Sequence, residues 1–192
     1  MTDTKLRLTT KAACRVVGLD RDRFNEHVAA GNYTCAPKTV PGRARLFDPD
    51  DMIALWLFKE FLDEGTDAET AGELACEIAH CARFNPDEPA IALVYSYFSK
   101  PHAFPSSAVP DPSTWDEVLF SGTDIRKVLT YRIGKLRKMI AHYTEEQRNI
   151  IGEDDEPVNA AAVKELKWRY ANGLMTSHEF AEELMKLDGS TE

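Results

Sequence analysis

The sequence predicts a mainly α protein: short N-terminal helices around a β-hairpin, a small β-containing middle region, a long helix and a C-terminal helical hairpin. Three observations predict it. Apolar residues recur at helical spacing along most of the chain. Thr or Asp stands before several of these stretches and glycine follows them, as helix caps require. Runs rich in β-branched and aromatic residues stand out in the middle, beside Pro- and Ser-rich segments.

Residues 9–17 form the first predicted helix, with Thr9 or Thr10 as its cap and Ala12, Ala13, Val16 and Val17 as its apolar stripe. Gly18-Leu19 breaks it. Asp20 caps a second helix that Gly31 ends. In that helix Phe24, His27 and Val28 share the inward face, so Arg21, Asp22, Asn25 and Arg23 are expected to point outward. Two β-prone pieces, 33–36 and 44–47, flank Pro41-Gly42 and are expected to pair as a hairpin carrying Arg43 and Arg45.

Asp48 caps a third, strongly apolar helix whose acidic first turn complements the helix dipole, and Gly65 stops it. Asp67 starts a fourth, which runs to Asn85-Pro86. Residues 90–98 read as a strand and 115–120 as its partner, with an irregular Pro/Ser-rich loop between them. A long basic helix is expected from residue 124 to 143. Its apolar positions Ile125, Leu129, Ile133, Leu136, Ile140 and Tyr143 have the spacing of a helix–helix seam. After a polar linker, Thr176 and Glu179 match the capping-box pattern of a last helix. The expected divisions are 1–82, 88–122, 123–150 and 158–188.

No apolar run reaches the roughly 18–20 residues of a membrane span. Residues 1–5 lack the apolar core of a secretion signal, so a cytoplasmic location is expected, with the four cysteines as free thiols. The net charge of −9 is unevenly spread. Residues 1–47 carry a net +5, residues 48–90 a net −10, residues 123–150 a net +4 and residues 151–192 a net −6. A basic head on an acidic chain suits phosphate contact at one end while discouraging nonspecific binding elsewhere.

Residues 9–80 resemble the MerR-type winged helix-turn-helix family. The resemblance lies in an ordered set: helix, Gly18-Leu19, second helix, Gly31, a hairpin, Arg45-x-Phe47, then Asp48-Pro49-Asp50-Asp51 opening an apolar helix. It departs from the family in the second helix, where Asn25 and Glu26 replace the usual Arg and Tyr. It implies a DNA-binding head but no target sequence. Residues 163–187 resemble the short C-terminal (SHOCT) domain through Asn172-Gly173-Leu174-Met175-Thr176 and Glu179-Phe180. That likeness implies a small helical hairpin that packs or self-associates, and no chemistry.

The expected partner is double-stranded DNA. Arg21 and Asn25, with Arg23 beside them, are the candidate base readers, because Arg and Asn form paired hydrogen bonds with guanine and adenine edges in the major groove. Arg43 and Arg45 are expected on phosphate or in the minor groove, and Lys11, Arg15 and Lys38 on phosphate. The alternative for every one of them is a solvated surface charge. Cys76 and His80 share a helical face that suits a metal pair, but Cys81 falls partly off it, and buried cysteines of a helix core are the commoner case. The acidic clusters read as caps and linker, so neither catalysis nor a cofactor is expected. The seam on the long helix implies a homodimer and hence a palindromic site. The expected function is a sequence-specific transcriptional regulator. The rival readings are a phage-type DNA-packaging or excisionase-like nucleoprotein factor and a protein-interaction adaptor that binds no DNA.

Overall fold

The computed structural model describes residues 7–38 and 45–150, the side chains of 146–150 excepted, together with residues 165, 166, 168–170, 174–176, 178–180, 182 and 183. The chain is mainly helical, with two small antiparallel sheets.

Strand β1 (Leu8–Thr9) leads directly into helix α1 (Thr10–Val17), where the Thr9 hydroxyl accepts from the Ala12 amide. Gly18 then adopts φ 71°, a left-handed conformation that an L side chain rarely takes, and lets Leu19 N–H close back on the Cys14 carbonyl at 2.9 Å. Asp20 caps helix α2 (Arg21–Ala29) by accepting from the amides of Asp22 and Arg23. The expected caps and break are therefore where local chemistry puts them.

The expected hairpin of 33–36 with 44–47 does not form. Strand β2 (Leu46–Phe47) pairs with β1 instead, Leu8 opposite Phe47 and Thr9 opposite Leu46. Residues 33–38 form turns and irregular chain because they are committed to packing. Tyr33 is buried with its ring 5.3 Å from that of Phe24 and 5.0 Å from that of Phe58. Arg43 and the turn at 41–42 lie outside the described residues.

Helix α3 (Pro49–Asp63) is buried nearly all round through Met52, Ile53, Ala54, Leu55, Leu57, Phe58 and Phe61, which makes it the central helix of the core. A capping box opens it: Asp48 accepts from the Asp51 amide at 2.8 Å and Asp51 accepts from the Asp48 amide at 2.9 Å. Helix α4 (Ala68–Phe84) packs on α3 and also against the chain that leaves α2. Gly72 makes this possible, since a Cβ there would lie 1.6 Å from the Asn32 carbonyl oxygen. One turn further along α4, Cys76 is disulfide-bonded to Cys35. This corrects the expectation of four free thiols; Cys14 and Cys81 alone are free. The two bonded sulfurs are 41 residues apart in sequence and meet because α4 lies so close to residues 32–35.

Strand β3 (Ile91–Ser96) is the expected 90–98 strand, but its partners differ. It is central in a three-stranded sheet between β4 (His102–Pro105) and β5 (Ile125–Tyr131). Residues 115–120 contribute no strand; Phe120 forms a lone bridge with Thr123, and its ring meets Phe104 edge-on at 4.8 Å. The long helix begins at Ile133, not at 124 (α5, Ile133–Ile150). Residues 125–131 are rich in β-branched and aromatic residues, and pairing with β3 outweighs the helical spacing of Ile125 and Leu129. Gly134 N–H then bonds the Pro89 carbonyl at 2.9 Å and seats the start of α5.

The supposed seam is spent inside the chain. Ile133, Leu136 and Ile140 are buried in the same hydrophobic cluster as Leu8, Phe24, Phe47 and Phe58, and Tyr143 stacks on Trp56 at 5.7 Å. Among the C-terminal residues described, 165, 166, 168–170, 178–180, 182 and 183 are helical. The Tyr170 and Phe180 rings stack at 5.0 Å. Glu179 accepts from the Thr176 amide at 2.8 Å, and its own amide donates to the Thr176 hydroxyl at 3.3 Å. Among the described residues, no helix is long and apolar enough to cross a membrane.

Candidate nucleic-acid interface

Helix α2 is held from beneath by an aromatic nest. Phe24 is fully buried, with Tyr33 at 5.3 Å and Phe47 at 5.8 Å, both edge-on. His27 is half-buried and meets the Phe58 ring at 5.3 Å. These contacts fix the rotation of the helix and leave Arg21, Asp22, Arg23, Asn25 and Glu26 exposed.

The exposed face is mixed in charge. Arg21 donates through Nε at 3.1 Å and Nη2 at 3.0 Å to a single Asp22 oxygen, so its fork is occupied in the unbound protein. Arg23 and Asn25 are exposed. Glu26 stands one turn beyond Asp22, which places two carboxylates on the face that would approach phosphate.

The remaining candidates divide by element. Arg15 is exposed and Lys11 half-buried on α1. Lys38 is exposed at the end of the chain leaving α2, and Arg43 lies outside the described residues. Arg45 is half-buried: its guanidinium carbon lies 5.9 Å from the centre of the Phe24 ring, and its buried Nε has no hydrogen-bond partner among the described residues. The Tyr33 hydroxyl is likewise buried with no hydrogen-bond partner among the described residues, and burial pushes its pKa upward. Arg45 therefore braces the underside of α2, while Arg23 and Asn25 are presented outward beside the Arg21–Asp22 pair.

Sequence reasoning missed three organising residues. Arg83 binds both members of the α3 capping box, Asp48 at 3.1 Å and Asp51 at 2.7 Å. Arg137 donates to the carbonyls of Ala82 at 3.0 Å and Pro86 at 2.8 Å, which ties the end of α4 to α5. Tyr33 had appeared only as part of an expected strand. No local pattern marks any of these roles, because each joins segments far apart in the chain.

The basic stretch 123–150 is also divided. Arg126 and Lys127 lie on β5, with Lys127 Nζ 4.9 Å above the Tyr95 ring, whereas Lys135 and Lys138 are exposed on α5 and Arg137 is half-buried. Cys76, considered above as a metal ligand with His80, is in the disulfide. Cys81 accepts a weak contact from Asn85 Nδ2 at 3.8 Å. No protein-family profile matches the chain, and no characterised protein matches it in sequence.

Proposed function

We propose that this chain is a sequence-specific DNA-binding regulator whose α2 enters the major groove. One observation carries the reading: a capped helix, rotationally fixed by Phe24 and His27, presents Arg23 and Asn25 outward from the basic head. Such a helix has the docking geometry of a recognition helix, and those side chains have the donor sets that read base edges. The order α1, left-handed Gly18, α2, β2, α3 supports the MerR-like reading. The Thr176/Glu179 cap and the Tyr170/Phe180 contact support the SHOCT-like reading of the C-terminal segment. In this reading the protein works in the cytoplasm without catalysis or cofactor. It acts as a homodimer through a surface other than the seam expected on α5; Tyr97 and Phe98, 63% and 96% exposed, are among the large apolar side chains open to such a contact.

The test is selection of bound duplexes from a random pool at physiological salt, beside an Arg23→Ala/Asn25→Ala variant. An enriched palindrome, bound more weakly by the variant, supports the dimeric regulator. Clustered direct repeats bound cooperatively point to the excisionase-like or packaging reading. No enrichment, and no binding even at low salt, favours the adaptor, to which the Arg21–Asp22 pairing and the outward Glu26 already lend weight.

A further inference from the structure

We propose that the Cys35–Cys76 disulfide is a reversible redox fastener that controls how firmly residues 34–38, which end in Lys38, are held against α4; its effect on DNA rests on the DNA-binding reading above. The bond joins residues 32–38, which lead from α2 towards Lys38 and Arg43, to the middle of α4. This stretch is held by the buried Tyr33, the close approach of Asn32 to Gly72, the disulfide, and Ala36, which packs half-buried against the core. Opening the bond removes the covalent tie to α4 and leaves the packing of Tyr33 and Ala36 to hold the chain that carries Lys38.

The bond is placed for exchange with a small thiol. Both cysteines are half-buried and line a surface cleft of about 510 Å³ together with Thr34, Glu73, His80 and Lys100. The Cys35 amide donates to Cys76 Sγ at 3.3 Å and the Thr34 hydroxyl points at the same sulfur from 3.9 Å. Two donors aimed at Cys76 favour it as the leaving thiolate, so the incoming thiolate attacks Cys35. The first exchange forms a mixed disulfide on Cys35 and releases Cys76; a second thiol then attacks the outer sulfur and releases Cys35. The net change converts the protein disulfide and two small thiols into two protein thiols and one small disulfide. Hydrogen peroxide reverses it, taking two hydrogens from the thiols and leaving two waters. The other two cysteines are poor competitors. Cys14 is buried, its pKa pushed up to about 12, and burial together with the Glu77 charge raises that of Cys81. A disulfide in a reducing compartment is characteristically transient and redox-sensing, which fits an accessible bond of this kind.

The experiment equilibrates the full chain in glutathione buffers of graded potential, quenches in acid, alkylates and maps the modified cysteines. Each poised state is then read by amide exchange and by affinity for a labelled duplex. The expected result is reversible titration of Cys35 and Cys76 together, faster exchange of the Ala36 and Lys38 amides in the reduced state, and DNA binding weakened about threefold to tenfold on reduction. A Cys35→Ser/Cys76→Ser variant should behave as the reduced protein at every potential. Two outcomes overturn the proposal: a bond that resists every glutathione buffer, which makes it a fixed staple, or exchange of the Ala36 and Lys38 amides that ignores redox state. If neither state binds DNA but cysteine titration and exchange respond as expected, the fastener stands and the DNA-binding reading falls.

Discussion

Gly72 and Gly134 both lie inside helices, yet they should respond oppositely to the same substitution. At Gly72 a Cβ would stand 1.6 Å from the Asn32 carbonyl oxygen and 2.8 Å from its carbon, and backbone cannot move aside as a side chain can. Gly72→Ala should force α4 off the segment that holds Tyr33 and Cys35, costing about 2–4 kcal/mol. At Gly134 the nearest atom is the Pro89 oxygen at 3.5 Å, an ordinary contact, so alanine's better helix propensity should prevail and Gly134→Ala should gain up to about 1 kcal/mol. Urea unfolding of both variants checks the pair; equal destabilisation would mean that the close approach at Gly72 is not what sets the cost. Charge at the candidate interface gives a second test. Asp22→Asn releases the Arg21 fork and removes a carboxylate from the exposed face. It should tighten duplex binding a few-fold at low salt, with the gain shrinking as salt screens the phosphates. Weaker binding would mean that the Arg21–Asp22 pair is itself part of the reading surface.

Among the elements, the start of α3 concentrates the most local chemistry. Asp48→Ala removes the cap and one of the two Arg83 contacts, and should cost about 1–2 kcal/mol. Asp51 adds a pH signature. Burial raises its pKa above 3.8 and outweighs the opposing hydrogen bonds from the Asp48 amide and Arg83. The folded state thus binds this proton more tightly than the unfolded state does. The stability it contributes is full below pH 3.8 and is lost as pH rises through the folded value. Asp51→Asn should flatten that part of the stability profile, which unfolding measured from pH 3 to 7 reads directly; an unchanged profile would exclude Asp51 as its source. Caps of this kind were legible in the sequence at Thr9, Asp20, Asp48, Asp67 and Thr176, because a cap is decided within about four residues. The outward face of α2 was legible for the same reason, once Phe24 and His27 were assigned inward. Strands β4 and β5 were not: β4 is a short edge strand beside β3 in a Pro- and Ser-rich stretch, and β5 pairs with β3 from much further along the chain while Ile125, Leu129 and Ile133 imitate a helical stripe. The disulfide, the burial of Arg45 and the bracing by Arg83 and Arg137 were hidden likewise, each depending on which segments the fold brings together.

At the scale of the molecule, one hydrophobic cluster runs from Leu8 on β1 through α1, α2, α3 and α4 to β3 and to Ile140 on α5. The basic head and the sheet with its following helix therefore share a core, and Arg137 adds polar bonds across the same junction. This continuity decides between two uses of the apolar row on α5. If the row were a seam between subunits, Ile133→Ala would lower the association constant and leave each subunit's unfolding nearly unchanged. Because Ile133 is fully buried within its own chain, the substitution should instead leave a cavity and cost about 2–4 kcal/mol of folding stability. The loss should appear in one cooperative transition, followed alike by the fluorescence of Trp56, near the α5 contact, and by the far-ultraviolet signal of all helices. Sedimentation of the native variant should match that of the wild type at equal concentration. A variant that dissociates on dilution while keeping its midpoint would return the row to an interface, and would require α5 to leave the core in which Ile133, Leu136 and Ile140 now lie.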